Sequence, residues 1–224
     1  MSAYVDARED VIARFGIASQ AHAAVEYTRL IDLLARGYLD SDDRRKEVDE
    51  QLQIIHRLIE GSISARIVDH VAYDPVNGHI RFTHTARANL VSKAVQSPLR
   101  LSREALSDLP SGSHFLYVFS TEDAVMVEPT PMTPSDLFFA GVHSVRERIR
   151  HPQLLGPDTP VLGAGELCVF HAAGTPYAAL VNNRSGHFRP PPDSLERVRR
   201  AVCRDLALSP NAVVEVRVGA YGRQ

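Results

Sequence analysis

Three pairs of short runs, each pair joined by a turn of a few residues, limit this chain's fold more than any other feature. Arg66 to Tyr73 and His79 to His84 flank Asp74-Pro75-Val76-Asn77-Gly78, where Asn-Gly is a strong turn signal because both residues tolerate positive φ. His114 to Ser120 and Ala124 to Glu128 flank Thr121-Glu122-Asp123, with Phe115, Tyr117 and Phe119 alternating on one side. Gly165 to Phe170 and Pro176 to Val181 flank His171-Ala172-Ala173-Gly174-Thr175. Strands joined this closely pair antiparallel, because a parallel pair needs a crossover of a dozen residues or more. The expected class is therefore α+β, a largely antiparallel sheet with an N-terminal helical hairpin packed on it.

The helical hairpin is read from spacing. Val48, Leu52, Ile55 and Ile59 fall on one stripe of a helix within Ser41 to Glu60, capped by Ser41 with Asp42 and Asp43 in its first turn and closed by Gly61. An earlier helix, from about Ala21 to Gly37, is expected to bury Val25, Thr28, Leu30, Ile31 and Leu34. The spacing leaves open whether these apolar faces meet the sheet or a second copy of the chain. Further helices are expected over Ala86 to Gln96, Ser102 to Leu109, Ser135 to Arg150 and Ser194 to Ala207, followed by a last strand, Ala212 to Val218. The division is a helical segment, 1–63, and an α+β domain carrying the candidate site, 64–224, expected to form one compact unit.

At 224 residues and 44% hydrophobic content the chain can bury a real core without a metal or disulfide. A formal net charge of -2 gives no global field for nucleic acid or an anionic membrane. Arg197, Arg200 and Arg204 share a helix face with no interleaved aromatics, so a solvated face is expected and nucleic acid is not. No apolar run approaches a membrane span, and Cys168 and Cys203 form no CxxC pair, so small buried hydrophobes in a cytoplasmic protein are expected. The histidines lack HxxxH or HExxH spacing, and no metal is expected.

Chemistry concentrates at one corner, Asn182-Asn183-Arg184-Ser185-Gly186-His187-Phe188-Arg189-Pro190, between an apolar strand and a helix. In a site, Ser185 and His187 would face a polar ligand, Asn183 would line it, and Arg184 or Arg189 would clamp an anionic part such as phosphate. In a turn, Asn183 and Ser185 would hold the corner by hydrogen bonds, and His187-Phe188 would pack under the final helix. Glu166 is expected at the opening of an apolar strand, at the sheet rim, as a general base or electrostatic stabiliser, or else as a surface partner of an arginine. Gly163-Ala164-Gly165 precedes strand material and so is no phosphate loop. Neighbouring His143 and Ser144 point about a quarter-turn apart on a helix, so a dyad would need another residue such as His187, and no GxSxG elbow is present.

From Ser113 to Val218 the chain resembles a domain of plant IQ-motif calmodulin-binding proteins and bacterial effector-like or toxin-like proteins. That domain carries a strand pair, His-Ser-Ser-Phe, a Gly-rich approach to Ala-Gly-Glu or Ala-Gly-Arg, a hairpin, and Ser-Gly-His-Tyr-x-Pro before a helix. Here the counterparts are His114 to Glu128, Val142-His143-Ser144-Val145, Leu162-Gly163-Ala164-Gly165-Glu166-Leu167 and Asn183 to Pro190. Val145 and Arg146 replace the second serine and the aromatic, and the stretch up to Ala164-Gly165 is longer. No IQ motif is visible, so calmodulin is not carried over. A His-Ser element with a later strand glutamate is similar in layout to ADP-ribosyltransferase-like folds. That resemblance implies polar residues holding the nicotinamide ribose and a glutamate stabilising the oxocarbenium character as the glycosidic bond breaks.

The expectation is thus a small-molecule enzyme acting on a ribosyl-containing substrate such as NAD, by ADP-ribosyl or glycosyl transfer or hydrolysis. Glu166, His187 and His143 are its catalytic candidates; Ser185, Asn183, Arg184, Arg189 and Ser144 are its binding candidates. Two alternatives remain: a non-catalytic interaction module or homodimer through the N-terminal helices, and a biosynthetic enzyme of another class.

Overall fold

The computed structural model describes residues 27–33, 36, 46, 48, 50–52, 55, 71–82, 98–132, 151–156, 159–185 and 187–217. Among these residues, eight strands form one sheet. They are β1 (Val71–Asp74), β2 (His79–Phe82), β3 (Leu99–Arg100), β4 (His114–Ser120), β5 (Val125–Val127), β6 (Val161–Ala172), β7 (Thr175–Asn182) and β8 (Val213–Val216). Helix α1 includes the described helical residues 27–33, and α2 includes the described helical residues Lys46, Val48, Glu50, Gln51, Leu52 and Ile55. Helix α3 is His151–Leu155 and α4 is Ser194–Leu206.

All three expected hairpins are present and antiparallel. The first turn is held by Asp74, whose Oδ1 accepts Val76 N–H at 2.9 Å and whose Oδ2 accepts Asn77 Nδ2–H at 2.7 Å. Only Gly78 of its Asn-Gly pair takes positive φ, at 70°. The third turn narrows to Ala173 and Gly174, both left-handed. One pair departs from the antiparallel pattern: β8 lies parallel to β7, with α4 as the crossover between them. Between Ser102 and Leu109 the described helix is a 3-10 segment, Glu104–Asp108. The helices expected over 86–96 and 135–150 lie outside the described residues, as do His143, Ser144 and Gly186.

Strand β6 organises the molecule. One edge pairs with β4 from Val161 to Cys168. The other edge pairs with β2 at Val161 and with β7 only from Leu167 onward. Between those contacts the sheet splits, and the last residue of β7, Asn182, stands at the split.

Alternation sends side chains to opposite faces. On one face Phe115, Tyr117, Phe119, Leu167, Val169 and Val181 pack against α4. Helix α4 supplies Leu195, Val198, Val202 and Leu206, which share one stripe. It ends on Ala207 at φ 51°, with Leu208 N–H donating to the Cys203 carbonyl at 2.9 Å, a left-handed cap without glycine. On the other face Val118 and Ala164 join Ile80, Val161, Leu154 of α3 and Phe188. Phe188 therefore packs on the face away from α4 and not beneath that helix, as the turn reading expected.

The N-terminal helices follow their expected stripes in part. Leu30, Val48, Leu52 and Ile55 are buried within the single chain, so a cis partner already covers them. Thr28 is exposed, and Tyr27 takes the inward position in its place. The expected basic face of α4 is dispersed into pairs. Arg204 bonds Asp123 and Asp205, Arg199 meets Glu215 at 2.7 Å, and Arg197 Nη1 donates to the Asn77 carbonyl at 3.4 Å.

Candidate functional site

Glu166 is not at the rim of the sheet. It lies inside the 12-residue strand β6, 4% exposed, because β6 begins at Val161 and not at Gly165. Its side chain shares the Val118–Ala164 face, where a carboxylate must find partners to be tolerated. Asn182 supplies them at the split. Its Nδ2–H donates to Glu166 Oε2 at 2.8 Å, and its Oδ1 accepts Glu166 N–H at 2.9 Å and Arg184 N–H at 3.0 Å. One amide thus replaces the missing strand neighbour and bends the chain away from β6.

That bend carries Arg184 back over the strand. Its guanidinium meets Glu166 Oε1 at 3.4 Å, with both side chains below one-tenth exposed. Asn182 is fixed from the α4 side by Tyr117, whose hydroxyl donates to the Asn182 carbonyl at 2.7 Å. Gly165 makes this approach possible, since a Cβ there would stand 1.9 Å from the Asn182 oxygen.

Three further polar side chains, Tyr27, His114 and His151, are buried on the neighbouring elements α1, β4 and α3. His114 faces Cys168 across the β4–β6 ladder and is hydrogen-bonded through Nε2 to the Tyr27 hydroxyl at 2.7 Å. The two rings are tilted, with centroids 5.5 Å apart. His151, on α3, donates from Nε2 to the Gly165 carbonyl at 2.9 Å. Burial pushes the His114 imidazole down to about 4, and the Arg184 charge adds to the effect. Burial likewise takes His151 to about 4, partly opposed by its bond to Gly165 and reinforced by Arg184. Near neutral pH both rings are therefore uncharged. Burial also raises the Cys168 thiol and the Tyr27 hydroxyl, the latter helped by the Glu166 charge. The cluster thus holds one cation, one anion and a set of neutral hydrogen-bonding groups.

The remaining candidates divide. Ser185 is fully buried, and its Oγ accepts Phe188 N–H at 3.2 Å while its carbonyl accepts Arg189 N–H at 2.8 Å. Asn183 Nδ2–H donates to the Pro190 carbonyl at 2.9 Å. Both serve the corner itself. Arg189 takes a left-handed φ of 45° and is half-buried, as is His187. Of the named candidates, the structure brings Glu166 and Arg184 together.

Sequence reasoning passed over Tyr27, His114, His151 and Tyr117. His114 opens the β4 run and could have been paired with Cys168 by aligning two hairpins, but that alignment is non-local. Among the described residues no group of three His, Cys, Asp or Glu is arranged to hold a metal, and no helix is long and apolar enough to cross a membrane.

No family model matches the chain, and neither a curated protein nor a solved structure matches it.

Proposed function

We propose that the chain is a small-molecule enzyme whose site is the Glu166–Arg184 cluster at the split of the sheet, and that its substrate is a ribosyl compound such as NAD. The observation that carries the reading is the buried ion pair at a strand divergence, set among neutral His114 and His151. Titratable groups perturbed by burial beside a specific charge partner, gathered in one place, are candidates for a functional site. The resemblance of the Ser113–Val218 half to effector-like and toxin-like domains, and its layout similar to ADP-ribosyltransferase-like folds, point the same way.

In this reading the bond from the anomeric carbon to the nicotinamide nitrogen breaks, and its electron pair leaves on nicotinamide. Water or another nucleophile then adds to the anomeric carbon and loses its proton. Glu166 stabilises the positive charge that develops on the ribose, a term that is strong where water is excluded. Arg184 holds the phosphate of the same substrate through donors that Glu166 does not use. Asn183 and Ser185, being committed to the corner, shape the site without touching the substrate.

The test is release of nicotinamide from NAD, followed by chromatography, for the wild type and for Glu166→Gln. The substitution keeps an acceptor for Asn182 and removes the charge. A loss of at least about a hundredfold in turnover is expected, by analogy with the removal of one transition-state donor. Equal turnover in both proteins would refute the reading.

A further inference from the structure

The proposed reaction leaves one proton without an acceptor. Nicotinamide departs as a neutral molecule and needs no acid, but the water that replaces it must lose a proton as its oxygen bonds the anomeric carbon. Glu166 is poorly placed to take it, because Arg184 engages its Oε1 at 3.4 Å and Asn182 its Oε2 at 2.8 Å. A second carboxylate stands in the same row of the sheet.

Glu128 follows the last residue of β5 and donates its backbone N–H to the Leu116 carbonyl at 3.0 Å, continuing the register that sets Tyr117 opposite Val127. Leu116 is itself directly opposite Glu166 across β4 and β6. Val127 belongs to the core packed on α4, so alternation turns Glu128 to the other face, which is the face of Glu166. Glu166, Leu116 and Glu128 therefore form one cross-strand row. Two strand spacings put the backbones of the two glutamates about 9.5 Å apart, and carboxyl groups about 6.5–9.5 Å apart are spaced to hold a sugar carbon and its attacking water between them.

The burial of Glu128 is incomplete in its chemistry. The residue is 6% exposed, and its Oε1 accepts Thr130 Oγ1–H at 2.8 Å and Thr130 N–H at 3.4 Å. Among the described residues its Oε2 is buried and meets no donor. A buried carboxylate oxygen without a donor is a cost that a purely structural residue has no reason to carry, whereas a proton acceptor must keep a lone pair free. Leu116, between the two glutamates, is half-buried, so the row is not sealed at its middle.

We infer that Glu128 is the general base of the proposed reaction, its Oε2 taking the proton of the nucleophile. The inference deepens the proposed function and rests on it. The water oxygen bonds the anomeric carbon, the electron pair of the broken bond leaves on nicotinamide, and the water proton passes to Glu128 Oε2 and from there to solvent.

The test compares Glu128→Gln with Glu166→Gln in the full chain, following nicotinamide release from NAD with and without sodium azide. Azide adds as an anion and has no proton to lose, so it bypasses a base but not a stabiliser of positive charge. Glu128→Gln is expected to lose at least about a hundredfold in release, and azide to restore at least about tenfold with a ribosyl azide as the second product. Azide should restore nothing in Glu166→Gln. The melting temperature of Glu128→Gln should equal or exceed that of the wild type, since the change removes a buried charge with an unmet oxygen. Wild-type release in Glu128→Gln would overturn the inference and leave the proposed function standing, as would a loss that azide does not repair. A wild type that releases no nicotinamide would overturn both. Should Glu128→Gln not fold, Glu128→Asp, which keeps the charge but draws it back, decides by the same azide criterion.

Discussion

Gly165→Ala tests the geometry on which the site depends. A Cβ at this position would lie 1.9 Å from the Asn182 carbonyl oxygen, 2.8 Å from its carbon and 3.0 Å from Oδ1. An ordinary carbon–oxygen contact is about 3.3 Å, so β7 would have to retreat from β6 by more than about 1 Å. That retreat pulls Asn182 off the Tyr117 hydroxyl and off Glu166, now held at 2.7 and 2.8 Å. Forced overpacking costs about 1–3 kcal/mol, and an orphaned buried polar group about 1–3 kcal/mol more. Alanine recovers under about 1 kcal/mol through its lower chain entropy. The net expectation is about 3 kcal/mol, or roughly 6–12 °C in the melting temperature of a chain this long. Gly163→Ala is the control, because the tightest contact of its Cβ would be the Val198 Cγ2 methyl, at 3.0 Å, with Phe119 Cβ and Ser194 Oγ at ordinary distances of 3.6 and 3.8 Å, and the expected cost is under about 1.5 kcal/mol. Thermal melts by circular dichroism compare the two. The reasoning fails if Gly165→Ala melts within about 3 °C of the wild type, or if Gly163→Ala is the more damaging change.

Acid should weaken the fold in a defined window. His114 and His151 are held at about 4 when folded against 6.5 when free, so the unfolded chain takes up protons that the folded one refuses. Stability is then fully present above about pH 6.5, falls as pH drops toward 4 and levels off below, each ring contributing on the order of 3 kcal/mol. Urea midpoints that coincide at pH 7 and pH 4.5 would contradict this. Tyr117→Phe removes the donor to the Asn182 carbonyl and is expected to cost about 1–2 kcal/mol, lowering the melting temperature by about 3–6 °C. A neutral effect would mean that Asn182 is held by β6 alone.

The strands were legible because their signals are local. His114 to Ser120 coincides with β4, and Asp74 to Gly78 contains enough turn chemistry to set the first hairpin. Helix α4 was equally plain from Leu195, Val198, Val202 and Leu206. Glu166 was misplaced because the two glycines before it looked like the start of a strand, whereas they continue one. Gly165 is there for the close approach of Asn182, a contact 17 residues away that no local pattern carries. The sense of β8 escaped for a similar reason. A strand after a helix can join either edge in either direction, and its parallel pairing with β7 is settled by where α4 packs. Tyr27 was passed over because the helical stripe could be drawn equally well through Thr28, and only the position of His114 decides between them.

The claim that the Glu166–Arg184 cluster receives a ribosyl ligand is tested most directly by calorimetric titration of NAD into three full-length proteins. These are the wild type, the paired variant Glu166→Gln with Arg184→Met, and Arg197→Met on the outer face of α4. The paired variant removes both buried charges at once, so neither is left alone in the core. Saturable binding is expected in the wild type and in Arg197→Met, with affinity at least about tenfold weaker in the paired variant, a loss of about 1.4 kcal/mol. Absence of saturable heat in the wild type, or equal affinity in all three, would contradict the account.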